Sequence, residues 1–246
     1  MAKKKGKGKV VFLIILLVIL GVGAYFAAGM FGFLPPKDLG VTYTEADYTS
    51  AMEKVGTTAT LDGMSGDQLK EFLAANKGQK LNINDYNWNF SDYENKTFTL
   101  TPAEATALLN EIAPNFFWFD KLQVNILPDG SMQGSSQADI GRLKTDLYSD
   151  VAGSIPIPIP DKVNLYGAGS ISIEGNVLTS SPTKLDLGSV PLPDQYMTGE
   201  NVAIISTYLQ RIYTVVPGLE IYSLKASDGS FAFDGKVPQT VEITKK

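Results

Sequence analysis

Two periodicities run along this chain: apolar and polar residues alternate over most of its length, and helical spacing interrupts them in a few short stretches. The change from one to the other is sharpest at Phe98–Ile112, FTLTPAEATALLNEI, which predicts a short strand turning directly into an amphipathic helix. Thr101 suits the N-cap, and Pro102 suits the first helical position, where its missing N–H is no loss. Glu104 follows the cap at capping-box spacing, and Ala105, Leu108, Leu109 and Ile112 share one apolar face. A near-copy, VTYTEADYTSAMEKV at Val41–Val55, lies 57 residues earlier and aligns without a gap, Thr44 on Thr101 and Met52 on Leu109. The pair reads as a repeated strand-into-helix unit serving one sheet, although any capped helix after a strand shares much of this pattern.

The remaining elements follow from the same two periods. Gly66–Asn76 predicts a helix with Leu69, Phe72 and Leu73 on one face, after a Gly/Thr-rich turn. Leu81–Thr101 alternates with a one-residue slip at Asp85–Tyr86, and Asp92–Asn95 has turn composition, so a bulge and a hairpin are expected there. The formal sequon Asn95-Lys96-Thr97 is taken as part of that turn. Lys121–Leu127 and Ser131–Ile140 predict a second hairpin around Pro128-Asp129-Gly130. Val163–Glu174 and Val177–Leu187 predict a third, joined at Gly175-Asn176, and Leu219–Ala226 and Ser230–Ile243 a fourth, hinged at Ser227-Asp228-Gly229. Between the last two hairpins, Thr198 can cap a helix whose apolar face carries Ile204, Ile205, Tyr208, Leu209, Ile212, Tyr213 and Val216. Long antiparallel strands with few helices make the class α+β.

The first 34 residues differ in kind. Five lysines at positions 3, 4, 5, 7 and 9 precede an uncharged apolar run, Val10–Leu34, of about 25 residues. That length crosses a hydrocarbon layer of ~30 Å with some tilt. The lysines set the orientation: residues 1–9 are a cytoplasmic tail, 10–34 a single-pass anchor, and 35–246 an extracytoplasmic domain beyond Pro35-Pro36. A cleaved secretory signal, with Ala27-Ala28-Gly29 as the cleavage site, is the alternative. With the five tail lysines set aside, 16 basic residues face 26 acidic ones, a net charge of −10 outside the membrane. Such a domain repels nucleic acid and anionic surfaces, so no nucleic-acid partner is expected.

Composition narrows the chemistry further. The chain has neither cysteine nor histidine, which excludes disulfides, thiolate nucleophiles, Ser-His-Asp catalysis and His- or Cys-ligated metals. No cofactor or metal is expected, and no enzyme. Carboxylate-based glycoside hydrolysis needs two acids about 5–9 Å apart across a cleft, and no spacing here places such a pair. The candidates for binding are apolar. Phe116, Phe117, Trp118 and Phe119 cannot all point inward from one strand, so they are either core or the mouth of an apolar groove. Ile155, Ile157 and Ile159 alternate with prolines that forbid a central strand, leaving an edge or an exposed rim. With Tyr208 and Ile212 of the late helix they complete the candidate groove.

FTLTPAEATALLNEI, KLQVNILPDGSMQGSSQADI, YGAGSISIEGNVLTSSPTKLDLGSVPLP, a long helix and LEIYSLKASDGSFAFDGKVP follow one another between about Phe98 and Val241. In this order they resemble bacterial single-pass anchored exported proteins, many uncharacterised, similar in layout to the tubular lipid-binding superfamily. Residues 41–80 fit that pattern less well and are expected to be a family-variable addition. The resemblance implies a long curved antiparallel sheet packed around a few helices, and a lipid or other apolar ligand; it supplies no catalytic residue. Two functions remain open from sequence: an anchored module that binds an apolar ligand in cell-envelope maintenance, and a structural or protein-interaction domain of the envelope whose core is filled.

Overall fold

The structure is a computed structural model that describes residues 35–246 except 77–78, 112–114, 117, 148–159, 189, 194–198, 200–202, 204–205, 207–209, 211–213 and 215. The predicted span, 10–34, therefore lies outside the described residues, among which no helix is long and apolar enough to cross a membrane. Four helices are described: α1 (Glu45–Val55), α2 (Gly66–Ala75), α3 (Pro102–Glu111) and α4 (Ile140–Leu147). Nine strands make one curved sheet: β1 (Thr58–Leu61), β2 (Tyr86–Leu100), β3 (Phe119–Ile126), β4 (Met132–Asp139), β5 (Lys162–Glu174), β6 (Val177–Leu187), β7 (Val190–Pro191), β8 (Glu220–Ser227) and β9 (Ser230–Lys245). The class is α+β, as expected.

Local signals formed as written. Thr44 and Asp47 close a capping box on α1, and Thr101 and Glu104 close another on α3, with Thr101 N–H donating to Glu104 Oε2 at 2.9 Å. Asn176 (φ +65°) follows Gly175 (φ +55°) between β5 and β6, and Gly229 (φ +71°) follows Asp228 (φ +50°) between β8 and β9. Each pair occupies the left-handed region that a two-residue hairpin turn demands. The proline-bearing segment after β6 contributes only the two-residue β7, paired through Val190 and Pro191 to Leu187 and Asp186. Of the late helix, Gly199, Ala203, Ser206, Gln210 and Thr214 are helical; Ile204, Ile205, Tyr208, Leu209, Ile212 and Tyr213 lie outside the described residues, and Val216, expected on the same face, is in a bend.

Long-range pairing overrode other expectations. The sheet is mixed rather than antiparallel, because β1 pairs in parallel with the end of β9, Thr58 opposite Thr240 through Leu61 opposite Ile243. β1 itself was expected to be a turn. The hairpin expected within Leu81–Thr101 is instead one 15-residue strand, β2, paired along its length with β9 from Tyr86–Lys245 to Leu100–Phe231. Its turn-like composition is absorbed by one left-handed residue, Asp92 (φ +55°), whose carboxylate accepts from Thr240 Oγ1 at 2.8 Å, and the sequon lies mid-strand. At Asp85–Tyr86 a 3₁₀ turn, Ile83–Asp85, takes the place of the expected bulge. The strand half of the first repeat, Val41–Thr44, is likewise not a strand.

The two repeat helices meet each other. Ala51 of α1 and Ala105 of α3 share a core cluster with Leu100, against which Phe98, Leu108, Val124 and Phe231 pack. Small residues at that contact let Lys54 reach Glu104 of the second capping box, with Nζ 2.6 and 2.7 Å from its carboxylate oxygens, while Ser50 Oγ donates to Oε1 at 2.5 Å. Glu104 is only 6% exposed. Burial works against its charge, yet the hydrogen bonds from Lys54, Ser50 and the Thr101 N–H outweigh it and hold its pKa below the ordinary glutamate value. One carboxylate thus caps α3 and ties α1 to it. A second core cluster, Leu61, Phe116 and Ile243, joins β1, β9 and the chain after α3, with Leu69 and Phe72 of α2 packed against it.

Candidate functional site

A cleft of about 910 Å³ lies between α1, the edge of β1 and α2. Tyr48 and Met52 of α1 line one wall, and Leu69, Leu73 and Ala74 of α2 line the other. Thr57, Thr58, Ala59 and Thr60 run along the β1 edge between them, and α3 contributes Asn110 and Glu111 from its last turn. The walls stand apart because both helices answer to different clusters: α1 packs on α3, whereas α2 packs on Leu61 and Phe116. Across the cleft, Lys70 Nζ approaches Glu45 Oε1 at 3.4 Å, an exposed pair. β1 is held to β9 by the ladder and by two threonine hydroxyls, Thr57 Oγ1 to Pro238 O at 2.7 Å and Thr58 Oγ1 to Gln239 O at 3.1 Å.

Most of the lining surface is apolar, but polar side chains are well represented in it, four threonines among them. Tyr43 Oη donates to Glu111 Oε1 at 2.8 Å, and burial together with that carboxylate pushes the Tyr43 hydroxyl up to about 12. Burial and the charge of Glu111 also raise Tyr48. Asn110 is committed to structure: its amide donates to Thr106 O and Leu122 O, and its oxygen accepts from Leu122 N–H at 3.0 Å. Glu45 has Lys70 beside it, but no cation reaches Glu111 among the described residues. Tyr43 and Asn110 also border a second hollow of about 310 Å³ with Val41, Thr42, Thr106, Lys121, Leu122 and Gln123.

The sequence-predicted groove residues lie elsewhere. Phe116 is buried, its ring edge-on to Tyr86 and Trp88 with centroids 5.1 Å apart in both cases. Trp118 is buried too, and its Nε1 donates to Asp146 Oδ2 at 2.7 Å. Phe119 packs on a third cluster of Ala138, Ile140 and Val163. These three aromatics serve separate packings, and none borders the cleft. Phe117, Ile155, Ile157, Ile159, Tyr208 and Ile212 lie outside the described residues. Sequence reasoning passed over the cleft because its walls come from residues 41–80 and its floor from a strand whose partner is some 180 residues away. The available signals were the apolar positions of α1 and α2 and the β-branched Thr57, Thr58 and Thr60.

Comparison with known proteins places the chain beside none of them: no family model, no curated protein and no solved structure matches.

Proposed function

We propose that this protein is a membrane-anchored extracytoplasmic module that binds a lipid or other apolar ligand in the service of the cell envelope, acting by binding rather than catalysis. The observation that carries this reading is the cleft. Its volume of about 910 Å³ lies in the ~300–1,000 Å³ range of small-ligand sites, and most of its lining surface is apolar, with polar side chains set among it. The anchor and exported topology rest on the lysine cluster and the apolar run of residues 10–34. The protein-interaction reading gains support from the open edge of β1.

The test uses the full chain in nanodiscs with a diazirine-bearing fatty acid, followed by peptide mapping of the photolabel. Label on peptides containing Tyr48, Met52 and Leu69 is expected, and Leu69→Asp should reduce it at least tenfold. Label confined to residues 10–34, or spread evenly over the domain, overturns the cleft as a binding place.

A further inference from the structure

The floor of the cleft carries a backbone feature that an aliphatic ligand would not use. Along a strand, the N–H and C=O of one residue point to one side and those of the next residue to the other. Asp62 N–H donates to Ile243 O at 2.8 Å, so Asp62, and with it Thr60 and Thr58, faces β9. Leu61 faces the opposite way and exchanges two hydrogen bonds of 2.9 Å with Met64. Ala59, two residues back, shares that outward side, and no hydrogen bond meets its N–H or C=O there among the described residues. The chain turns from Met64 into α2, so the pairing it begins on this edge stops after one residue. β1 therefore offers an unpaired donor and acceptor at the bottom of an apolar trench with a helix on either side.

We propose that the cleft is a strand-addition site: it takes an extended peptide segment of an exported partner, which pairs with β1 at Ala59, lays apolar side chains against Met52, Leu69 and Leu73, and sets a basic side chain on Glu111. This deepens the reading of the cleft as the binding place and rests on it. A lipid chain in the same position would strip water from the Ala59 N–H and C=O and give nothing back, whereas a peptide backbone satisfies both. Side-chain alternation in the added strand turns every second residue toward one wall. The charge preference follows from the lining, where Lys70 offsets Glu45 and, among the described residues, Glu111 has only the Tyr43 hydroxyl. The net charge of −10 outside the membrane favours a basic partner as well.

Selection of a random dodecapeptide phage library on the full chain in nanodiscs tests this. Enriched peptides are expected to alternate apolar residues, to carry Lys or Arg, and to displace the fatty-acid photolabel from the cleft. Ala59→Pro removes the outward N–H while leaving the ladder to β9, since proline is tolerated on an edge strand. It should weaken a selected peptide at least tenfold, and Glu111→Gln should abolish the preference for the basic residue. Methylating alternate backbone nitrogens of the peptide should weaken binding equally, an arm that leaves the protein unaltered should Ala59→Pro fail to fold. No enriched peptide, or peptides insensitive to N-methylation, overturns the proposal. Cleft photolabelling without peptide enrichment leaves the apolar-ligand reading standing and removes only strand addition; loss of both removes both.

Discussion

Replacing Phe116 with alanine should cost the fold about 3–5 kcal/mol, the usual range for emptying a buried aromatic site. Phe116 is 4% exposed, and its ring is held edge-on by Tyr86 and Trp88 while it packs with Leu61 and Ile243. The cavity would open where β1, β2 and β9 converge, so the neighbouring strands have little freedom to collapse into it. For a domain of this size the melting temperature should fall by roughly 6–20 °C. Urea unfolding of the full chain, followed by tryptophan fluorescence, supplies the number. Below the transition, cleft photolabelling should be unchanged, because Phe116 does not border the cleft. A loss of labelling with stability intact would return Phe116 to the role of ligand contact.

Lys54→Met is the second large effect. It leaves the Glu104 carboxylate, 8% exposed on its side chain, without its cation between two packed helices. Breaking a buried pair by removing one partner costs about 3–5 kcal/mol. Lys54 is 35% exposed, so water relieves part of the loss, and about 2–3 kcal/mol is expected. Glu104→Gln on the same background should recover part of it by neutralising the stranded charge. The acid limb follows from the same group. Its folded pKa is depressed, so its stabilisation is present above the unfolded value of about 4.3 and is lost as pH falls through the folded value. The gap in stability between wild type and Glu104→Gln should therefore narrow as pH falls below about 4.3 and close only once pH is below the folded value. A gap that persists there assigns Glu104 a packing role instead.

The parts of this fold that could be read from sequence are those whose cause is local. T-x-x-E gave the capping box of α3, and Gly175-Asn176 and Asp228-Gly229 gave two hairpins, because side chain and turn are neighbours in the chain; the box that Thr44 and Asp47 close on α1 has the same local cause. β1 was hidden because Thr58–Leu61 becomes a strand only when Thr240–Ile243 lies beside it. Asp92-Tyr93-Glu94-Asn95 has every local reason to turn, yet pairing along 15 residues of β2 outweighs a single strained residue. α4 was missed although its signal was present: Asp139 Oδ1 caps it by accepting from Arg142 N–H at 3.0 Å, three residues on. Four consecutive aromatics drew attention as a ligand mouth, but the described three divide between Tyr86 and Trp88, Asp146, and the Ala138–Val163 cluster. The cleft is a gap between elements that pack elsewhere, and gaps of that kind leave no periodicity in the chain.

The central claim, that the α1–β1–α2 cleft accepts an apolar chain, is tested most directly by methyl NMR of the full chain in nanodiscs, with ¹³C-labelled methionines and oleate as the probe. Met52 borders the cleft, whereas Met132 stands at the start of β4, outside its lining. Saturable movement of the Met52 methyl signal on titration, with Met132 still, is the predicted result. A Met52 signal that stays fixed while oleate binds, or that moves no more than Met132, would contradict the account.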